Sequence, residues 1–154
     1  GIHILNLLQI FCTKIKVKFI KKIKGFWKTG IEEEVLIVLS SKEIPIINIS
    51  FSILRWRSTF DIRGNGNKGY WRITGRDRSY GEQIYSTGQR WGWQSGKKQK
   101  DTEKKIIQRK NKNVFQDELS SIIKSINKKK VDIFPCTDKE ALKTMILIKS
   151  LYEY

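Results

Sequence analysis

Apolar residues change period twice along this chain. At the start, Ile2, Leu5, Leu8 or Gln9, and Cys12 recur at roughly helical spacing, which predicts a helix over residues 2–12. Residues 14–19 then alternate strictly between lysine and apolar side chains, the pattern of a strand with one buried face. Glycines at 25 and 30 interrupt it. Two β-branched runs follow, at 33–39 and 46–54, joined by a polar turn ahead of Pro45. A further pair, 58–63 and 69–74, is linked by Gly64-Asn65-Gly66-Asn67-Lys68, and weaker strand patterns stand at 83–86 and 104–108. Between the last two lies a loop of Gly, Trp, Lys and Gln, with charged and polar residues over 95–113.

From residue 113 the helical period returns. Asn113 with Gln116 forms a capping-box pattern, and Phe115, Leu119, Ile122, Ile123 and Ile126 follow on one stripe. Lysines 128–130 complement the dipole at that helix's end. Thr137 with Glu140 repeats the cap after Pro135, and Ala141, Met145, Ile148, Leu151 and Tyr152 form a second stripe. One helix, a run of strands and two closing helices predict an α+β fold. The expected form is an open, largely antiparallel or mixed sheet with helices packed on one face.

Length and composition sharpen this. A chain of 154 residues is the size of one domain, expected here to span 1–154. With 39% hydrophobic and 11% aromatic residues it is globular in composition, and no apolar run reaches the ~20 residues that span a bilayer. Residues 2–10 have neither a basic region before them nor a small-residue cleavage site after them, so they are not read as a signal peptide. Cys12 and Cys136 are too few and too far apart for a disulfide framework or a zinc site, and buried or idle thiols suit a reducing cytoplasm.

The formal charge of +16 raises nucleic acid or an anionic membrane as a partner. The 23 lysines, however, are scattered like the 24 isoleucines, a compositional bias that spreads charge over solvated faces. Arginine is different: seven of the eight lie between Arg55 and Arg90, interleaved with aromatics. The densest stretch holds Arg76, Arg78, Tyr80, Gln83, Tyr85, Arg90, Trp91 and Trp93, with glycines at 75, 81, 88 and 92. Arginine offers a planar fork for phosphate or carboxylate, and aromatic rings stack on sugars or bases. The same composition suits an irregular loop whose tryptophans fill a core edge, or single-stranded nucleic acid.

Two other signals are weaker. Gly64-x-Gly66-x-x-Gly69 matches the dinucleotide fingerprint, which works only where a helix begins; Tyr70-Trp71-Arg72-Ile73 follows as a strand, so the glycines read as a hairpin turn and no cofactor-binding residue is assigned in this chain. His3 is the single histidine, and without a second one or a nearby cysteine it supports neither a metal site nor a nucleophilic triad.

Several segments, taken in order, resemble the Gfo/Idh/MocA oxidoreductase family. Gly1-Ile2-His3-Ile4-Leu5-Asn6-Leu7 resembles its Gly-x-His-x-x-Asp-Leu segment, and Ile62-x-Gly64 with Lys68-Gly69 resembles a strand turn. Gly75-Arg76-x-Arg78-Ser79-Tyr80-Gly81-x-Gln83-x-Tyr85 and Gly88-x-Arg90-Trp91-Gly92-Trp93 are similar to a sugar-modifying branch. Phe115-x-x-Glu118-Leu119, Pro135-Cys136-Thr137-x-x-Glu140-Ala141-Leu142 and Leu151-Tyr152-Glu153 resemble the final helices. The resemblance implies the C-terminal, substrate-facing and oligomer-forming domain of an enzyme acting on a sugar or nucleotide sugar. NAD or NADP would be bound by a Rossmann domain ahead of Gly1, so this chain would be inactive alone. It further implies His3 as the general base and the arginine–aromatic stretch as the substrate side, with Asn6 standing where the family has aspartate. Partners would be the sugar and a second copy through the sheet face, in the cytoplasm and away from membranes. The alternative from a different class is a basic, aromatic-rich nucleic-acid-binding protein of ribosomal or phage accessory type.

Overall fold

The computed structural model describes residues 1–90, 103–107, 113–128 and 137–154. The fold is α+β, and its strands are divided between two antiparallel sheets, each in its own compact unit. The first unit takes residues 1–54 with 113–154, the second residues 55–112.

In the first unit, α1 (Ile2–Phe11) leads into β1 (Lys16–Ile23), β2 (Glu34–Ser40) and β3 (Ile47–Ser52), an antiparallel meander in the order β1-β2-β3. Val35, Ile37 and Leu39 point to one face of β2, opposite Phe51, Ile49 and Ile47 of β3. Onto that face pack α1 through Leu5 and α3 (Asp138–Glu153) through Leu147 and Leu151. Leu39 is fully buried and Ile37 nearly so, each contributing about 1.5–3 kcal/mol by leaving water. Asn6 and Gln9 both donate to Thr144 Oγ1, at 3.0 and 2.8 Å, tying α1 to α3. Thr144 in turn donates to the Glu140 carbonyl at 3.0 Å, which satisfies the hydroxyl in full burial. Lys22 lies 4.8 Å from the Tyr152 ring centroid, and the Tyr154 hydroxyl donates to the Lys18 carbonyl at 2.6 Å. The expected Thr137–Glu140 capping box is formed in full.

Strand β1 departs from strict alternation. Ile15 and Val17 pack against the core as the pattern predicts, but the register slips between Val17 and Phe19. One extra residue at this bulge reverses the faces. Ile20 therefore joins the core, while Phe19 turns outward and stays 45% exposed. Helix α2 (Val114–Lys128) forms where the period predicts it, and its stripe of Phe115, Leu119, Ile122, Ile123 and Ile126 stays exposed.

The second unit is a four-stranded antiparallel meander of β4 (Asp61–Asn65), β5 (Gly69–Thr74), β6 (Ile84–Gln89) and β7 (Lys104–Ile107). Ile62, Ile73, Tyr85 and Ile106 face each other across successive strands on one side, and Arg63, Arg72, Ser86 and Lys105 on the other. Among the described residues it holds no buried large apolar side chain.

Candidate substrate-binding loop

The β4–β5 connection decides the first of the sequence signals. Gly66 N–H donates to the Gly69 carbonyl at 2.8 Å, and Asn65 pairs with Tyr70, so the glycine motif is a hairpin turn between strands. A Cβ on Gly64 would collide with the Trp71 ring; the glycine is demanded by strand packing, and no helix N-terminus is offered to a pyrophosphate. These residues do not fit a dinucleotide.

Between β5 and β6 the chain forms a tight loop over residues 75–81. The Gly75 N–H donates to the Phe60 carbonyl at 3.0 Å, and its φ of +74° with the Glu82 carbonyl pressed against the Cα admits no side chain. Asp77 and Arg78 adopt φ of +62° and +52°, a region that non-glycine residues enter at a cost. The Asp77 N–H donates to the Gly81 carbonyl at 2.7 Å, and a single 3-10 turn over Arg78–Tyr80 is closed by Tyr80 and Gly81 donating backward at 3.2 Å. Asp77 Oδ1 is buried without a hydrogen-bond partner. Positive φ at two non-glycine residues and an unsatisfied carboxylate oxygen make this short loop costly to hold.

Arg76 leaves from the same loop. Its guanidinium carbon lies 5.6 Å from the Phe60 ring centroid and 5.7 Å from that of Tyr80, cation–π distances to two rings. Phe60, contributed from just ahead of β4, carried no signal in the sequence, because only the fold brings it beneath Arg76. Among the described residues no carboxylate forms an ion pair with Arg76, Arg78 or Arg90. Arg72 and Arg63 are instead committed to Asp61. Arg72 binds it through Nε at 3.0 Å and Nη2 at 2.6 Å, and Arg63 through Nη2 at 3.1 Å. Hydrogen bonding from Arg72 holds the Asp61 carboxyl below the usual aspartate range.

No family model, curated protein or solved structure matches the chain. The site is therefore judged on its own geometry.

Of the residues singled out by sequence, Arg76, Arg78 and Tyr80 are gathered in this loop. Gln83 is half-buried just ahead of β6. Tyr85 lies on the Ile62–Ile73–Ile106 side of the sheet, 37% exposed. Arg90 is exposed just beyond β6, its N–H donating to the Lys68 carbonyl at 2.9 Å. Trp91 and Trp93 lie outside the described residues, as do Lys129, Lys130, Pro135 and Cys136. His3 belongs to the other unit, exposed in the first turn of α1. Asn6, at the position of the resembled family's aspartate, is engaged with Thr144. Burial pushes the Cys12 thiol up, so it stays protonated and bound to the Leu8 carbonyl at 3.4 Å. Among the described residues no cluster of His, Cys, Asp and Glu is placed to hold a metal ion, and no helix is long and apolar enough to cross a membrane.

Proposed function

We propose that this chain binds an anionic sugar, a sugar phosphate or a nucleotide sugar, as the substrate-facing part of an NAD(P)-dependent oxidoreductase. The observation that carries the reading is the Arg76 guanidinium laid against Phe60 and Tyr80 by a strained loop. Ring contact holds the guanidinium in place, and a guanidinium can make two parallel bonds to a phosphate or carboxylate. Arg78 in the same loop adds a second positive charge. The nicotinamide cofactor of such an enzyme would have to be held by residues other than these, since the glycine turn at 64–69 does not fit it. A second copy would dock on the sheet face that carries Phe19 and Leu36, 45% and 43% exposed.

The test is calorimetric titration of the chain with UDP-glucose and glucose 6-phosphate. Saturable binding is expected, weakened about tenfold by Arg76→Ala, the equivalent of one charge-assisted hydrogen bond. Absence of binding by either ligand would overturn the reading.

A second reading, single-stranded nucleic acid, is favoured by Trp56, 89% exposed with the Arg57 guanidinium 5.1 Å from its ring. Tight binding of a dT oligonucleotide, steeply salt-dependent yet retained at physiological salt, would favour it over the sugar.

A further inference from the structure

The first sheet has two outer strands, and they differ in charge. β1 carries Lys16, Lys18, Lys21 and Lys22, while residues 44–54, which include β3, hold no charged side chain. The outer strands of the second sheet are charged as well, through Asp61 and Arg63 in β4 and Lys104 and Lys105 in β7. Among the described strands β3 is therefore the one outer strand without the charges that ordinarily keep other strands away. Ile46, just ahead of it, is 69% exposed.

The backbone of β3 shows what that edge offers. Ile53 donates to the Glu33 carbonyl at 2.9 Å. Glu33 is itself held in place, 1% exposed, its carboxylate oxygens accepting from the Phe26 and Trp27 N–H groups at 2.7 and 2.6 Å. Carrying the Ile53 bond back along the register commits the N–H and C=O groups of Ile47, Ile49 and Phe51 to β2. Those of Asn48, Ser50 and Ser52 point away from β2, and no described residue pairs with them. A row of unpaired N–H and C=O groups at strand spacing is matched by another extended backbone.

We infer that β3 pairs with β3 of a second copy, antiparallel about a two-fold axis at Ser50. The register that engages all three outward residues sets Asn48 against the partner's Ser52 and Ser50 against the partner's Ser50, each pair exchanging both backbone bonds. The side chains agree with it. Ile49 falls opposite the partner's Phe51, so the apolar face runs across the seam, and Asn48 meets a serine hydroxyl on the polar face. A second copy is selected over a foreign strand because β3 is self-complementary in that register, and because its edge gives neither an acidic nor a basic peptide a charge to meet. Two chains of charge +16 repel at long range, but the seam adds no like-charge contact and salt screens the remainder. Both copies use the same edge, so assembly through it stops at two. The inference goes beyond the sugar-binding reading and does not rest on it, and the seam is distinct from the sheet face that carries Phe19 and Leu36.

The test is analytical ultracentrifugation of the whole chain over a range of protein and sodium chloride concentrations, with amide hydrogen exchange alongside. A dimer is expected whose share rises with protein and with salt, and in which the Asn48, Ser50 and Ser52 amides gain protection while those of β1 do not. Ser50→Pro, tolerated where the N–H points outward, should weaken it about tenfold or more by removing the bonds at the axis. Ser50→Lys and Ser50→Glu should each weaken it, and an equimolar mixture of the two should restore it, because opposite charges then meet at the axis. Phe19→Lys should leave it intact. A monomer at every concentration would overturn the inference, as would a dimer that salt dissociates. So would a dimer that survives Ser50→Pro and is abolished by Phe19→Lys, since it identifies the sheet face as the contact. A Lys/Glu mixture no more dimeric than its components would overturn the pairing of Ser50 with itself.

Discussion

The two units are held together by different physics. In the first, a three-stranded sheet buries one apolar face under α1 and α3, with Leu39, Ile37, Ile49, Leu5, Leu147 and Leu151 in a single cluster. The second has a longer meander and no equivalent cluster among its described residues; its order comes from the strand ladder, from glycines pressed against neighbouring groups, and from the Asp61–Arg72–Arg63 ion pairs. A unit stabilised by burial tolerates change on its surface. One stabilised by backbone geometry is sensitive wherever the backbone is forced, and the strained loop under Arg76 belongs to that second kind. The contrast also separates chemistry from architecture: isoleucine fills the first unit, while arginine, glycine and aromatics dominate the second.

Four substitutions test the contrast, in descending order of effect. Leu39→Ala strikes the centre of the buried cluster and should cost about 2–5 kcal/mol in urea unfolding, since the cavity adds to the lost transfer energy; a loss under about 1 kcal/mol would mean that the first unit is not core-driven. Gly75→Ala forces a Cβ against the Glu82 carbonyl at a φ of +74° and should cost roughly 2 kcal/mol, read by the same method, with weakened UDP-glucose binding as the second readout. Thr137→Ala removes the capping box of α3 and should cost about 1 kcal/mol.

The smallest effect concerns Asp61. Its side chain is 37% exposed and that of Arg72 44%, so Asp61→Asn should cost no more than about 1 kcal/mol. The sign with pH is fixed by the depressed folded value: the pair's contribution is fully present above the ordinary carboxyl value of 3.8 and is lost as pH falls through the lower value of the folded state. Acid unfolding of the wild type and Asp61→Asn should therefore converge below that range, and curves that stay parallel would deny the pair any pH-linked role.

Much of this was legible in the sequence, and the exceptions share a cause. The strand over Gly69–Thr74, the helix from Ile2 and the cap at Thr137 were readable because each depends on near neighbours. The turn of β1 at Phe19 was not, because a bulge is set by pairing with β2 and leaves the lysine–apolar alternation untouched. Arg76, Arg78 and Tyr80 stood out as a segment, yet the ring of Phe60 beneath Arg76 and the positive φ of Asp77 depend on contacts that no local pattern encodes. Glu33 was hidden for the same reason: within a run of three glutamates, nothing local shows which one will be buried against the amides of Phe26 and Trp27.

The bulge in β1 has a bearing on how so isoleucine-rich a chain meets its own copies. β1 is an outer strand of its sheet, the place where a foreign strand would add to the ladder. A newcomer would find the spacing of amides interrupted between Val17 and Phe19 and would lie along Lys16, Lys18, Lys21 and Lys22, whose like charges repel an identical strand. A one-residue irregularity thus discourages fibrous stacking at the very edge where the apolar content of the chain would otherwise invite it.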